Sequence, residues 1–182
     1  MTAVRSIALA ALAVALYGQP KPKYPAPQDP APKDMAGWDK IRWGMTIAEA
    51  RAAYDIHTEP ESKDNWTLLY LNPVKIGGVE MGVQVGARLG GEKVTSVRLW
   101  SFFGVPNAAP FAGSQDFDTI KTTLIQECGH PASEETKRGE NGRLIKTVGW
   151  TFPSTAIVLT LEQSTSLPNL GTIYLDYSAT TK

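Results

Sequence analysis

Few residues in this chain have side chains able to do chemistry. There is one cysteine, Cys128, and there are two histidines, His57 and His130. Cys128 and His130 sit two apart across the end of a predicted helix and could offer two ligands to a metal. A structural zinc site needs four ligands and a catalytic one three from the protein, and no further ligand lies nearby. A Cys-His nucleophile pair would need an orienting group and an oxyanion hole, and the sequence identifies neither. An unpaired cysteine usually behaves as a small hydrophobe, so a buried thiol beside a loop histidine is the expectation. Asp116 and Asp118 could serve as paired acids, yet carboxylates at a helix start are explained by capping and the macrodipole. Gly77-Gly78 and Gly90-Gly91 are followed by no Lys-Ser/Thr and lie between strand-like segments, so they read as turns and not as phosphate loops. The sequence therefore predicts no catalytic residue, no metal and no cofactor: the chain is not expected to be an enzyme.

What these residues leave open, composition narrows. Over 182 residues, 18 Lys+Arg balance 18 Asp+Glu, which removes the charge source of a nucleic-acid binder. With 42% apolar residues, five Trp, six Tyr and five Phe, the chain can build one core and is not disordered as a whole. A single cysteine allows no intramolecular disulfide, so packing must hold the domain together.

Residues 1–19 have the shape of a secretory signal: Arg5, then an uncharged apolar run from Ile7 to Leu16. The run is about half of the roughly 20 apolar residues that a spanning helix needs, so no transmembrane span is expected after signal removal. No cysteine follows the run to carry a lipid. The predicted location is periplasmic or secreted. A proline-rich linker, residues 20–37, comes next; its core PKPKYPAPQDPAP (Pro20 to Pro32) lacks many amide donors and favours extended polyproline II. It reads as a semi-rigid spacer, the other reading being a ligand for an aromatic-lined groove. The folded domain is expected over 38–182.

Within that domain one order of elements occurs twice, as pseudo-repeats over about 38–104 and 113–179. Thr46 and Glu49 form a capping box for a short helix with Ile47, Ala50 and Tyr54 on one face. Strand-like segments follow at Trp66 to Leu71, Val79 to Ala87 and Val94 to Phe102, the second alternating strictly from Val79 to Ala87. In the second half Asp116 caps a helix striped by Phe117, Ile120, Leu124 and Cys128, and Gly129 with Pro131 ends it. The polar tract Ser133 to Gly142 reads as an exposed loop before segments at Leu144 to Phe152, Thr155 to Glu162 and Thr172 to Tyr177. The predicted fold is α+β: an antiparallel six-stranded sheet from two helix-plus-three-strand units, with both helices packed on one face. On the opposite, open face the alternation places Gln84, Arg98, Trp100, Thr147, Thr151 and Tyr174, the candidate partner-binding residues. Consecutive aromatics in Trp100-Ser101-Phe102-Phe103 cannot all face one way; packing against the segment Val105 to Ala112 is the expectation, the other reading being an exposed interface.

The run Gly44-Met45-Thr46, with Glu49-Ala50, Pro60, Trp66 and Leu69-Tyr70, resembles the SmpA/OmlA family, the small lipoproteins of the outer-membrane barrel-assembly machinery; Gly129-His130-Pro131 supplies the family's helix-ending motif in the second half. Carried in tandem, the pattern is similar to the beta-lactamase inhibitory protein family, whose two units form one concave sheet that grips an enzyme. The resemblance spans roughly Trp38 to Tyr177 and implies a protein-binding sheet. This chain departs from both in lacking the lipoprotein cysteine and a disulfide pair. The expected function is that of an exported envelope protein acting as a non-catalytic protein-binding module, adaptor or inhibitor-like, through its open sheet face. Its partner would be an envelope or periplasmic protein. The rival class is a periplasmic small-molecule or lipid carrier, with an apolar pocket between sheet and helices.

Overall fold

The computed structural model describes residues 34–103, 113–139, 142–166 and 171–180. The predicted signal segment, the linker through Lys33 and the segment Val105 to Ala112 lie outside the described residues.

The described chain opens with a small hairpin, β1 (Gly37–Trp38) with β2 (Ile41–Arg42). Helix α1 (Ile47–Ala53) starts at Thr46, whose side chain accepts from the Glu49 amide while the Glu49 carboxylate accepts from the Thr46 amide. The capping box is thus present as read. Its loss through Thr46→Ala is expected to cost about 1 kcal/mol in urea unfolding, with Thr46→Ser nearly neutral. Four strands follow: β3 (Glu61–Lys63), β4 (Trp66–Ile76), β5 (Val79–Arg88) and β6 (Val94–Phe103). Helix α2 (Gly113–Cys128) and four further strands complete the order: β7 (Ser133–Arg138), β8 (Arg143–Thr151), β9 (Thr155–Ser164) and β10 (Gly171–Ala179).

The architecture is α+β, with two helices among the described residues, but the main sheet has eight antiparallel strands and not six. Its order is β3-β4-β5-β6-β10-β9-β8-β7, so the last strands of the two halves pair at the centre and β3 and β7 form the edges. The six expected strands are all present; the two additional ones are these edges. Every residue of β3 and of β7 is exposed. A strand with neither face covered shows no apolar alternation, and the charged run Ser-Glu-Glu-Thr-Lys-Arg of β7 is what an edge carries when it must not recruit another chain. For that reason Ser133 to Arg138 reads as a loop in sequence although it pairs in full with β8.

Strand β4 also runs past the expected end at Leu71, because a register shift between Leu71 and Val74 absorbs Pro73, which has no amide to give the ladder. The hairpin that follows turns on Gly77 and Gly78, with φ of 58° and 90°, values that glycine reaches without strain.

One face of the sheet carries the core. Met81, Val83 and Val85 of β5, Val97 and Leu99 of β6, Ile157, Leu159 and Leu161 of β9, and Ile173 and Leu175 of β10 are all fully buried. Helix α2 lays Phe117, Ile120, Leu124 and Cys128 on this face, and α1 adds Ile47 and Ala50. The first three α2 side chains fill the layer between that helix and the sheet. Asp116 does not cap α2, which begins at Gly113; it stands in the first turn. Gly129, at φ 79°, ends the helix as its composition suggests.

Hydrogen bonding starts before Trp38. The Asp34 carboxylate accepts from the Ser154 amide at 2.9 Å and from its hydroxyl at 2.7 Å, and the Met35 carbonyl accepts from the Thr155 hydroxyl. The Trp43 indole also donates to Thr155, at 2.7 Å.

Candidate protein-binding face

Cross-strand register defines the open face row by row. Gly82, Trp100, Tyr174, Thr160 and Thr147 stand opposite one another across β5, β6, β10, β9 and β8. The next row runs Tyr70, Gln84, Arg98, Asp176, Val158 and Gly149, and the one after it Leu68, Gly86, Ser96, Ser178, Ala156 and Thr151. All six predicted residues therefore occupy three adjacent rows of one face. Gln84, Arg98, Trp100 and Tyr174 come together on neighbouring strands; Thr147 and Thr151 lie on β8, beyond β9, and join no cluster with them.

Around those four the face is built from aromatic rings and arginines. Trp100 lies on the backbone of Gly82, where an added Cβ would sit 2.6 Å from the indole Cζ2. Trp66 covers Gly86 in the same manner, with Cε3 3.2 Å from a Cβ placed there. Glycine at both positions lets each indole lie down on the sheet. Tyr70 meets Trp100 edge-on, at 6.2 Å between centroids and 85° between planes, and remains 41% exposed. The Arg88 guanidinium sits 5.6 Å from the Trp66 ring and that of Arg98 5.3 Å from the Tyr174 ring. Arg98 donates to both oxygens of Asp176, Nε to Oδ1 at 2.6 Å and a second nitrogen to Oδ2 at 3.1 Å. This pairing raises the Arg98 pKa further, against the opposing effect of burial. Exposed ion pairs add little stability, so the bidentate geometry acts mainly to hold the guanidinium plane in place. Beside this cluster is a depression of about 560 Å³, lined by Trp66, Leu68, Tyr70, Gln84, Gly86, Ser96, Arg98, Asp176 and Ser178 among others. The small residues Gly86, Ser96 and Ser178 share one row, which keeps the surface low there.

Trp66, Tyr70, Arg88 and Asp176 belong to this face although they were not among the sequence candidates. The signal was available: Trp66, Leu68 and Tyr70 alternate with the buried Leu69 and Leu71, and Asp176 lies between Leu175 and Tyr177.

Elsewhere the chemistry-bearing residues are dispersed. Cys128 is buried in the core whereas His130 is exposed on the surface just after the helix end, so the pair does not form a site. Asp116 is half-buried, which raises its pKa, and Asp118 is exposed; two residues apart on a helix, they point about 200° from each other. Among the described residues no group of three or more His, Cys, Asp or Glu could hold a metal ion, and no helix is long and apolar enough to cross a membrane.

Burial, with a smaller contribution from Glu127, pushes the Cys128 thiol up from 9.0 to about 11. Burial likewise raises Tyr177, and burial together with the Asp39 hydrogen bond pushes Tyr54 up to about 12. Above pH 9 the folded state thus keeps protons that the unfolded chain has released, so stability must fall as pH rises. Urea midpoints measured from pH 9 to 11 should decline in the wild type and decline less steeply in a Cys128→Ala variant.

No family model matches the chain, and neither a curated protein nor a solved structure matches it. Function is therefore read from the face itself.

Proposed function

We propose that this chain is an exported, non-catalytic protein-binding module of the cell envelope, adaptor or inhibitor-like, that grips its partner with the open face of the sheet. One observation carries the reading: Trp66, Tyr70, Trp100, Tyr174 and Arg98 are gathered on a face that the core does not use. Tryptophan, tyrosine and arginine dominate the energetics of protein interfaces, and here each has a fixed neighbour that lowers the entropy lost on binding. Export rests on the signal-like residues 1–19, and an envelope or periplasmic partner follows from it. The repeated order of one helix and a meander, with β6 paired to β10, supports the expected duplication; each half carries four strands where three were expected, the added ones being β3 and β7. Filling of the helix–sheet layer by Phe117, Ile120 and Leu124 favours surface recognition over a ligand carried inside.

The test uses the full chain as bait in an extract of the host's periplasm and membranes, with chemical crosslinking read by mass spectrometry. The reading requires one envelope protein joined through residues beside Arg98, Trp100 and Tyr174. Crosslinks confined to the outer surfaces of α1 and α2 would reject it.

A further inference from the structure

We propose that the depression on the open face is a binding site for a neutral saccharide, stacked on Trp66 and held at its hydroxyls by Arg98, Asp176 and Gln84. The inference goes beyond the protein-binding reading and does not rest on it, because a small ligand can be tested on the purified chain alone.

The first feature that selects this chemistry is a flat aromatic bed. The Trp66 indole lies over Gly86, where an added Cβ would sit 3.2 Å from its Cε3. One side of the ring is thus set on the backbone, and the half-buried side chain lines the depression with what remains. Tyr70, four residues on along the same face of β4, adds a second ring that is 41% exposed. Arg88, exposed and 5.6 Å from the Trp66 ring, borders the bed. A pyranose carries C–H bonds on the faces of its ring and hydroxyls around its rim. The electron-rich face of an indole attracts such C–H bonds, whose hydrogens are weakly positive.

The second feature is a polar wall. Arg98 stands one strand and two residues from Gly86, about 8 Å between Cα atoms by strand geometry, within reach of the rim of a sugar lying on Trp66. Two of its five N–H bonds go to Asp176, and three lie outside that pair. The Asp176 carboxylate, fixed by the same contact, can accept from hydroxyls, and the Gln84 amide can both donate and accept. Neighbouring hydroxyls on a sugar offer donors and acceptors side by side, and planar groups held in place meet them two at a time. The low floor of Gly86, Ser96 and Ser178 lets one ring reach both the bed and the wall.

The third feature is charge. Among the residues that line the depression, Lys63 and Arg98 balance Asp64 and Asp176, which gives it no net charge to draw in a phosphate or a carboxylate. A lipid chain fits no better, since it would strip water from the charged and hydroxyl groups and return no hydrogen bond. The ligand that matches is neutral, rich in hydroxyls and apolar on its ring faces. About 560 Å³ is also within the range of roughly 300–1,000 Å³ in which small ligands are held.

Saturation-transfer NMR on the full chain, with cellobiose and maltose as probes, tests the proposal. Transfer to the ring C–H protons of at least one disaccharide is expected, together with shifts of the Trp66 indole N–H and the Arg98 Nε–H in heteronuclear spectra. At about 10 mM sugar a Kd of about 1 mM would fill roughly 90% of the sites, so no transfer from either probe at that concentration overturns the proposal. Trp66→Ala should weaken binding at least about tenfold, and Trp66→Phe, which keeps a ring, by less. Unchanged affinity in a Trp66→Ala variant that still melts cooperatively overturns the assignment. If that variant does not fold, Asp176→Asn carries the same test from the wall, with weaker binding expected and unchanged affinity overturning it. Adenosine, which stacks on aromatic rings but has no polyhydroxylated six-membered ring, should bind more weakly than the disaccharide; binding as tight would reduce the site to plain stacking and overturn the saccharide assignment. Failure of the sugars leaves capture of an envelope protein untouched, whereas sugar binding with no protein captured defeats the protein-binding reading alone.

Discussion

Phe117→Ala is expected to lower the free energy of unfolding by about 3–5 kcal/mol, a loss comparable to the whole stability of many domains of this size. Phe117 is 2% exposed and heads the apolar stripe that α2 lays over the sheet. Its removal forfeits the burial of an aromatic ring and leaves a cavity that Ile120 and Leu124, already packed, cannot close. The neighbouring Asp118→Ala should change stability by less than about 0.5 kcal/mol, because that side chain is exposed on the same helix. Urea unfolding of the two variants side by side checks the prediction. A Phe117→Ala cost below about 1 kcal/mol would mean that α2 does not close the core as described.

The second large effect is on binding. Replacing Arg98, Trp100 and Tyr174 together by alanine is expected to weaken partner affinity by at least about 100-fold, or about 2.7 kcal/mol, with the thermal midpoint nearly unchanged. The three residues stand on adjacent strands, the Arg98 guanidinium lies against the Tyr174 ring, Trp100 is the register partner of Tyr174, and none belongs to the buried core. Because they act as a unit, the single substitutions should not sum to the triple loss. Arg98→Lys should weaken binding as well, since lysine keeps the charge but cannot reproduce the two-point grip on Asp176 or lie flat against Tyr174. Titration calorimetry against the captured partner reads both results.

What the sequence made legible, and what it hid, follows from burial. Strict alternation marks β5 because Met81, Val83, Val85 and Ala87 are fully buried on one face while Glu80, Gly82 and Gln84 on the other are not; the same contrast marks β6, β9 and β10. The helix stripe from Phe117 to Cys128 and the Thr46–Glu49 box were legible because period and capping chemistry are local. The edges were hidden for the opposite reason: no residue of β3 or β7 is buried, so neither shows an apolar alternation, although each pairs with the next strand in the chain. Pro73 masked the second half of β4, since a bulge that accommodates proline looks in sequence like a strand end. For the open face, parity alone selected Gln84, Arg98, Trp100 and Tyr174. It could not show that Trp66 and Trp100 would lie on Gly86 and Gly82, or that Asp176 would hold Arg98, because those contacts depend on which strands are neighbours. The pairing of β6 with β10 brings them together, and nothing local encodes it.

A hydroxyl-radical footprint of the captured complex, resolved by residue, tests the central claim most directly. Binding through the sheet predicts protection of Trp66, Tyr70, Trp100 and Tyr174, with the exposed positions of α1 and α2 as reactive as in the unbound protein. Protection of the helix surfaces with the four aromatic residues unchanged would contradict the account.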